Sequence, residues 1–242
     1  PIFNCQEYLK ESLDSALNQT FTDFELIIVN DGSTDGSKDI VLDYKDDRIV
    51  FIDHDDNKKI PTRRNEAIRI ASGKYIAIHD GDDISLLDRF ERQIEVLERG
   101  NLCCVGGWAE KIDLSGDKIG KMNYPPETNN EIIAMVTRRC MNPFIDPTTM
   151  FVRRVFSQLG EYTLEKAIYT VPDFDLWLRA MDNGYKFYNI QDYLIKYREN
   201  PDGMTQQHKR EMIRAHMVVW HRFMSKYRRT HGRRESTKRA IN

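Results

Sequence analysis

A chain of 242 residues, 40% apolar and 10% aromatic, holds enough material for one sizeable α/β domain, and its mixed charge argues against disorder. No apolar run approaches the roughly 18 residues of a membrane span, and the opening "PIFNCQEYLK" lacks the basic start and apolar core of a secretory signal. The net charge of −2 hides an asymmetry: from Lys209 onward eleven Lys/Arg stand against two acids, a local +9, which leaves 25 basic and 36 acidic residues before it, a local −11.

In chain order, "FELIIVN" (24–30) has the composition of a strand, and the Gly, Asp and Ser residues of "DGSTDGS" mark a loop leading into a helix. "RIVFID" (48–53) predicts a second strand. "TRRNEAIRIAS" (62–72) predicts a helix stopped by Gly73, and "KYIAIH" (74–79) a third strand. Leu87, Phe90, Ile94 and Leu97 recur at steps of three and four, which predicts an amphipathic helix ending at Gly100. Strands alternating with helices imply right-handed crossovers, a mostly parallel sheet, and a functional surface at the carboxyl ends of the strands.

The later half is less regular. "CVGGWAEKIDLSGDKIG" predicts a strand, a turn and a return, "NNEIIAMVTRR" a helix, and "TTMFVRR" a strand. "DFDLWLRAMDNG" predicts a helix stopped by Gly184, while "YKFYNI" and "YLIKYRE" read as paired strands. A helix is expected from Gln206 to Tyr227, followed by loosely ordered residues. Cys5, Cys103, Cys104 and Cys140 form no C-x-x-C pair and no zinc spacing, as expected of reduced thiols in a cytosolic protein.

"YIAIHDGDDI" (75–84) concentrates charge at a strand end. In an extended chain Asp80 and Asp82 point the same way, and Gly81 between them lets a ligand approach the backbone. Two carboxylates plus phosphate oxygens suit Mg²⁺ or Mn²⁺. Asp83 reads as the N-cap of a helix starting at Ile84. The alternative is that all three merely cap and turn. Asp31 closes a buried strand, where its carboxylate can accept hydrogen bonds from a nucleobase imide or a ribose. Arg63 or Arg64 can reach a diphosphate through a guanidinium fork, or simply open a solvated helix.

Three stretches, "PIFNCQEYLKESLDSALNQTFTDFELIIVNDGSTDGS", "TRRNEAI…ASGKYIAIHDGDDI" and "DFDLWLRAMDNGYKFYNI…YLIKYR", resemble family 2 glycosyltransferases of the GT-A fold, from Pro1 to about Arg198. The resemblance implies an inverting transferase using a nucleotide-diphosphate sugar and a divalent metal. It puts the base-holding Asp on Asp31, the donor-associated Arg-Asn pair on Arg64 and Asn65, and the D-x-D carboxylates on Asp80 and Asp82, with Asp82 the direct metal ligand and Asp80 nearer the ribose. The family's general base falls on Asp173 in "VPDFDLW", where a carboxylate on the acceptor side would deprotonate the attacking hydroxyl. Asp175 is the competing carboxylate, and helix N-terminal charge is the bland reading of both.

Two departures stand out. Pro172 occupies the position where the family has Glu, and Pro suits a first helical turn. The family's apolar first strand, ahead of "P-x-x-N", does not precede Pro1, so the chain is expected to be N-terminally truncated. Trp108 falls where the family lines its acceptor cleft, although Trp108 and Trp177 both read first as core. His79 reads as packing, and Asp146 stands where His is more usual, with no role assigned.

These readings give a nucleotide-sugar-binding α/β half (1–100), an acceptor and catalytic-base half of the same domain (101–205), and a basic C-terminal helix and tail (206–242). The expected partners are a UDP-sugar donor and a glycan or lipid-linked acceptor, with no nucleic acid. The expected location is the cytoplasm, with the basic tail peripheral at the inner face of the membrane. The rival reading is a catalytically inactive nucleotide-sugar binder or scaffold.

Overall fold

The computed structural model describes residues 1–201 and 203–239, with side chains described through residue 229. Its first hundred residues alternate helices and strands: α1 (Gln6–Leu17), β1 (Leu26–Asp31), α2 (Ser37–Asp43), β2 (Ile49–His54), α3 (Lys59–Ile70), β3 (Tyr75–Ala77), β4 (Ile84–Ser85) and α4 (Arg89–Arg99). β1 and β2 pair in parallel from Leu26↔Ile49 to Asp31↔His54, so both deliver an acidic or titratable residue at the same end. Leu9 and Leu13 of α1 lie one turn apart and pack with Ile28 and Val41. Ile2 forms a parallel bridge to Asn30.

The remaining elements are β5 (Cys104–Ile112), β6 (Lys118–Met122), α5 (Asn129–Arg139), a 3₁₀ turn (Asp146–Thr148), β7 (Met150–Val152), α6 (Arg154–Leu159), α7 (Pro172–Asp182), β8 (Phe187–Arg198), α8 (Met204–Gln207) and α9 (Lys209–Arg239). They build a sheet in the order β3-β7-β5-β8-β4, with β6 on β5.

The α/β class holds, but the sheet is mixed rather than mostly parallel. Among the described residues, β1–β2 and β5–β8 are the parallel ladders, while β3–β7, β4–β8, β5–β6 and β5–β7 run antiparallel. The reason is long-range pairing: β3 finds its partner in β7, whose residues 150–152 lie far along the chain, and local alternation carries no trace of that. The expected strand pair at the end is one strand, β8. Its register against β5 jumps from Gly107↔Ile190 to Trp108↔Tyr193, so a bulge absorbs Gln191 and Asp192 where the sequence suggested a turn. Close approach of β5 and β8 explains "GG": a Cβ on Gly106 would lie 2.5 Å from Asn189 Oδ1, and one on Gly107 2.5 Å from Leu194 Cδ1.

Asp83 does not cap a helix. Ile84 and Ser85 instead pair antiparallel with β8, and α4 begins at Arg89, with Asp88 in the N-cap position. The largest core cluster joins α7 to α9 through Phe174, Trp177, Leu178 and Met181 against Ala215, Val219 and Phe223. Each of the Phe, Leu, Met and Val side chains in this set, fully buried, stabilises by roughly 1.5–3 kcal/mol. Trp177 is therefore core. Among the described residues no helix is long and apolar enough to cross a membrane. α9 runs past Tyr227 to Arg239, since no proline interrupts that segment.

Candidate active site

Two neighbouring arginines in the second turn of α3 serve two acidic loops. Arg63 Nε donates to Asp31 Oδ1 at 2.7 Å, and its Nη2 donates to the Asp56 carbonyl (2.7 Å) and carboxylate (2.6 Å). Asp31 also accepts the backbone N–H groups of Lys58 (2.7 Å) and Lys59 (2.9 Å). Gly32, at φ +74°, lies so close that a Cβ would sit 2.9 Å from the Asp56 carbonyl carbon. The loop before α3 thus folds over the end of β1, with buried Asp31 as its anchor. In this arrangement three donors already hold the carboxylate.

Arg64 turns the other way. Its Nη2 donates to Asp80 Oδ1 (3.0 Å) and its Nη1 to Asp146 Oδ2 (2.5 Å), with the guanidinium 5.6 Å from the Tyr162 ring centroid. The side chain is buried, and an arginine in this setting stays charged because two carboxylates face it. Asn65, expected at the donor, spends its amide elsewhere. Its Nδ2 donates to the Tyr162 carbonyl (2.8 Å) and its Oδ1 accepts the Tyr162 N–H (2.9 Å), so it clamps the 160s loop.

The carboxylates after β3 are crowded. Burial, and then repulsion from Asp80, pushes the Asp82 carboxyl up to about 6. Burial, Asp80 and Asp82 raise Asp83 well above the usual carboxylate range, and its Oδ2 is a buried atom with no partner. Arg198 at the end of β8 braces this loop. Its N–H donates to Asp83 Oδ1 (2.9 Å), its Nε to the Asp82 carbonyl (3.0 Å), and its Nη2 to Glu11 (2.6 Å). Behind the loop lies a second buried arginine, Arg89. It donates to the Ile78 carbonyl (2.7 Å) and Ser85 Oγ (3.0 Å), and burial lowers its guanidinium to about 10. His79 sits between Ser12 Oγ (2.8 Å) and Ser85 Oγ (3.1 Å). Burial and then the Arg89 charge lower it to about 4, so it stays neutral packing.

Asp173 lies in the first turn of α7 directly after Pro172, which occupies the first helical position without disturbing it. Burial, and then the Asp146 charge, raises its carboxyl to about 7. Asp175 is bound to Arg179 (2.8 Å), whose Nη atoms donate to the Leu159 and Glu161 carbonyls (2.7 and 2.8 Å). That set of bonds ties α7 to the loop after α6. Trp108 lies on β5, edge-on to Tyr193 at 5.8 Å, with its indole N–H directed at the Pro125 carbonyl (3.4 Å).

The structure therefore brings Arg64, Asp80 and Asp146 into direct contact, with Asp173 inside the same electrostatic neighbourhood. Asp31 is held one residue away along α3 through Arg63, while Asp175 and Trp108 belong to other packing groups. Sequence reasoning left Asp146 without a role and did not single out Arg89, Arg198 or Tyr162. Each acts through partners brought near by tertiary contact, and only Asp146 stands out in the sequence, at a position where His is more usual. Among the described residues no cluster of three ligating side chains forms a metal cage. Asp80 and Asp82 offer hard oxygen donors. Among the described residues the Asp82 carboxylate makes no ion pair, and the Arg198 charge is too weak to offset its burial, which fits a divalent ion that takes its remaining ligands from phosphate and water.

Acidic loops after β1 and β3, joined by adjacent arginines of α3 on a mixed α/β sheet, occur here in a chain whose fold matches glycosyltransferases of the GT-A type. The chain belongs to glycosyl transferase family 2, whose family model matches residues 1–160. It is 33% identical over 209 residues to EpsE of Bacillus subtilis (strain 168), provisionally named a glycosyltransferase, covering 85% of this chain and 73% of that one. It is 27% identical over 230 residues (90% and 83% covered) to WfgD of Escherichia coli, a UDP-Glc:alpha-D-GlcNAc-diphosphoundecaprenol beta-1,3-glucosyltransferase. Among solved structures, S. aureus TarS 1–349 in complex with UDP aligns with TM-score 0.67 at 18% identity, over 90% of this chain and 63% of that one. The mannosyltransferase PcManGT from Pyrobaculum calidifontis, in complex with GDP-Man and Mn²⁺, aligns with TM-score 0.67 at 16% identity, over 89% and 61%. The chain thus spans less than two thirds of those two proteins, and at such identities the likeness concerns the fold.

Proposed function

We propose that this glycosyltransferase moves a sugar from a UDP-sugar to a glycan or lipid-linked acceptor with inversion, and that Mg²⁺ or Mn²⁺ is held by Asp82 and Asp80. UDP in TarS and the UDP-Glc and diphosphoundecaprenol in the name of WfgD support the donor and the acceptor class. When bound, such an ion supplies a Lewis acid for the diphosphate that leaves. The chain's own residues do the rest. Asp31 and Arg63 shape the base-side loop, Arg64 holds Asp80 in place and offers positive charge beside it, and Asn65 fixes the 160s loop over Arg64. Asp173 takes the proton from the attacking hydroxyl.

The observation that carries this reading is the Asp173 carboxyl, raised to about 7 at a helix N-terminus that otherwise favours the carboxylate. A base poised near neutral pH is matched to proton abstraction from an alcohol. The inactive-binder reading lacks such support, because Pro172 leaves Asp173 in the helix and beside Asp146. Asp173→Asn should lower turnover of UDP-sugar by about 10²-fold or more while UDP affinity, read by calorimetry, stays near that of the parent. Unchanged turnover in Asp173→Asn, with loss in Asp175→Asn, would assign the base to the wrong carboxylate.

A further inference from the structure

The buried stripe of α9 is spent on the core, which leaves its other face to be explained. Ile213, Met217 and Val218 are 58%, 40% and 38% exposed, and they alternate with the exposed Arg210, Arg214 and Arg228. At 100° per residue these six fall on the side of the helix opposite Ala215, Val219 and Phe223. No acid occurs between Ile213 and Arg229. Glu211, the residue after Arg210, is in hydrogen-bond contact with His208 Nδ1 (3.0 Å) and lies to the side of this face. Arg222, on the flank, is satisfied by Glu165. Arg210 and Arg214 make no ion pair among the described residues.

The face continues onto α5. Trp220 Nε1 donates to the Val136 carbonyl (2.8 Å), His216 Nε2 meets the Cys140 carbonyl (3.0 Å), and Cys140 Sγ lies 3.7 Å from Met217 Sδ. These contacts bring the C-terminal end of α5, with exposed Arg138 and Arg139, and the 41%-exposed Met141 beside the α9 face. The same helix touches the catalytic side: His216 stacks on Phe174 at 3.7 Å, and Phe174 is the residue after Asp173.

We infer that the outer face of α9, together with the C-terminal end of α5, is a docking surface for an anionic lipid bilayer. Arginines without internal partners supply attraction to anionic headgroups, and apolar side chains set among them can enter the headgroup boundary. The combination of bare cations, apolar tips and no acids fits a lipid surface better than a protein patch of mixed charge. Phe174–His216 then links the docked helix to the first turn of α7, so Asp173 is held near the bilayer, where a lipid-linked acceptor would be presented. The inference deepens the acceptor half of the proposed function and rests on it for its meaning, but docking is measured without turnover.

The test is flotation of the 242-residue chain with phosphatidylcholine vesicles with and without phosphatidylglycerol. The parent should float only with the anionic vesicles, and should be released at about 1 M salt, where the screening length falls to about 3 Å. Arg210→Glu/Arg214→Glu should float about tenfold less or worse, and Ile213→Ser/Met217→Ser should float less at equal charge, while both keep parental UDP affinity. Flotation indifferent to lipid charge or to these substitutions would overturn the inference. So would retention on heparin without flotation, which would make the face a general polyanion binder. A salt-sensitive dimer without flotation would give the face to the acidic body of a second copy. Loss of turnover with flotation intact would count against the transferase reading and leave the docking surface standing.

Discussion

At the scale of single residues, the site is a problem of unlike charges held close under partial burial. Arg64 between Asp80 and Asp146 replaces water with two ion pairs, and removing one partner of such a set is what leaves a buried charge uncompensated. Asp173 makes no ion pair among the described residues, and the Arg64 charge only partly offsets its burial. Its raised carboxyl makes a stability prediction with a definite sign. A carboxyl whose folded value is about 7, against an unfolded value near 3.8, is favoured in its protonated form by the folded chain. Its ionisation destabilises the fold, so that contribution is fully present below about pH 4 and lost as pH rises through 7. Asp173→Asn removes the ionisation. The variant should melt above the parent at pH 8, with the gap closing toward pH 4 in thermal scans. A variant that melts below the parent at pH 8 would mean that Asp173 is stabilised as a carboxylate.

Secondary-structure elements show where local pattern was a sufficient guide. The stripe of Phe90, Ile94 and Leu97 and the strand "FELIIVN" were legible, the first because α4 buries Phe90 and Leu97 at helical spacing and the second because a short apolar run becomes the buried end of β1. β4 was not legible: two residues, Ile84 and Ser85, are strand only because β8 lies beside them. For the same reason Asp83 looked like a cap and is a bracket for Arg198 instead. Asp31 could be read directly, since it ends β1. Asp80 and Asp82 could be read as neighbours, but the extended chain expected between them is a turn, closed by the Asp83 N–H donating to the Asp80 carbonyl (3.2 Å) three residues beyond the end of β3. Arg198, Arg89 and Asp146 could not, because their partners arrive through tertiary contact alone. In α9 the structure gives the buried stripe Ala215, Val219 and Phe223 to the core cluster shared with α7. Phe223→Ala should therefore cost about 3–5 kcal/mol, while Ile213→Ala on the outer face should stay within about 0.5 kcal/mol, both by urea denaturation. Equal small effects would mean that α9 is not part of the cooperative core.

At the scale of the whole molecule, two kinds of strand end meet. The parallel pair β1–β2 delivers Asp31 and its loop, the mixed sheet delivers Asp80, Asp82 and Asp146, and α3 spans both with consecutive arginines. The acidic body is built around that seam, and the basic helix closes the opposite flank of α7. The central claim is that the crowded carboxylates after β3 exist to hold a metal and a diphosphate, and the most direct measurement is UDP affinity by calorimetry with Mn²⁺ and with a chelator. We expect UDP to bind about tenfold or more tightly with Mn²⁺, a difference of ~1.4 kcal/mol, and Asp82→Asn to erase the difference without unfolding the chain. Equal UDP affinity with and without metal in the parent would contradict the account and return "DGDD" to the role of a structural turn.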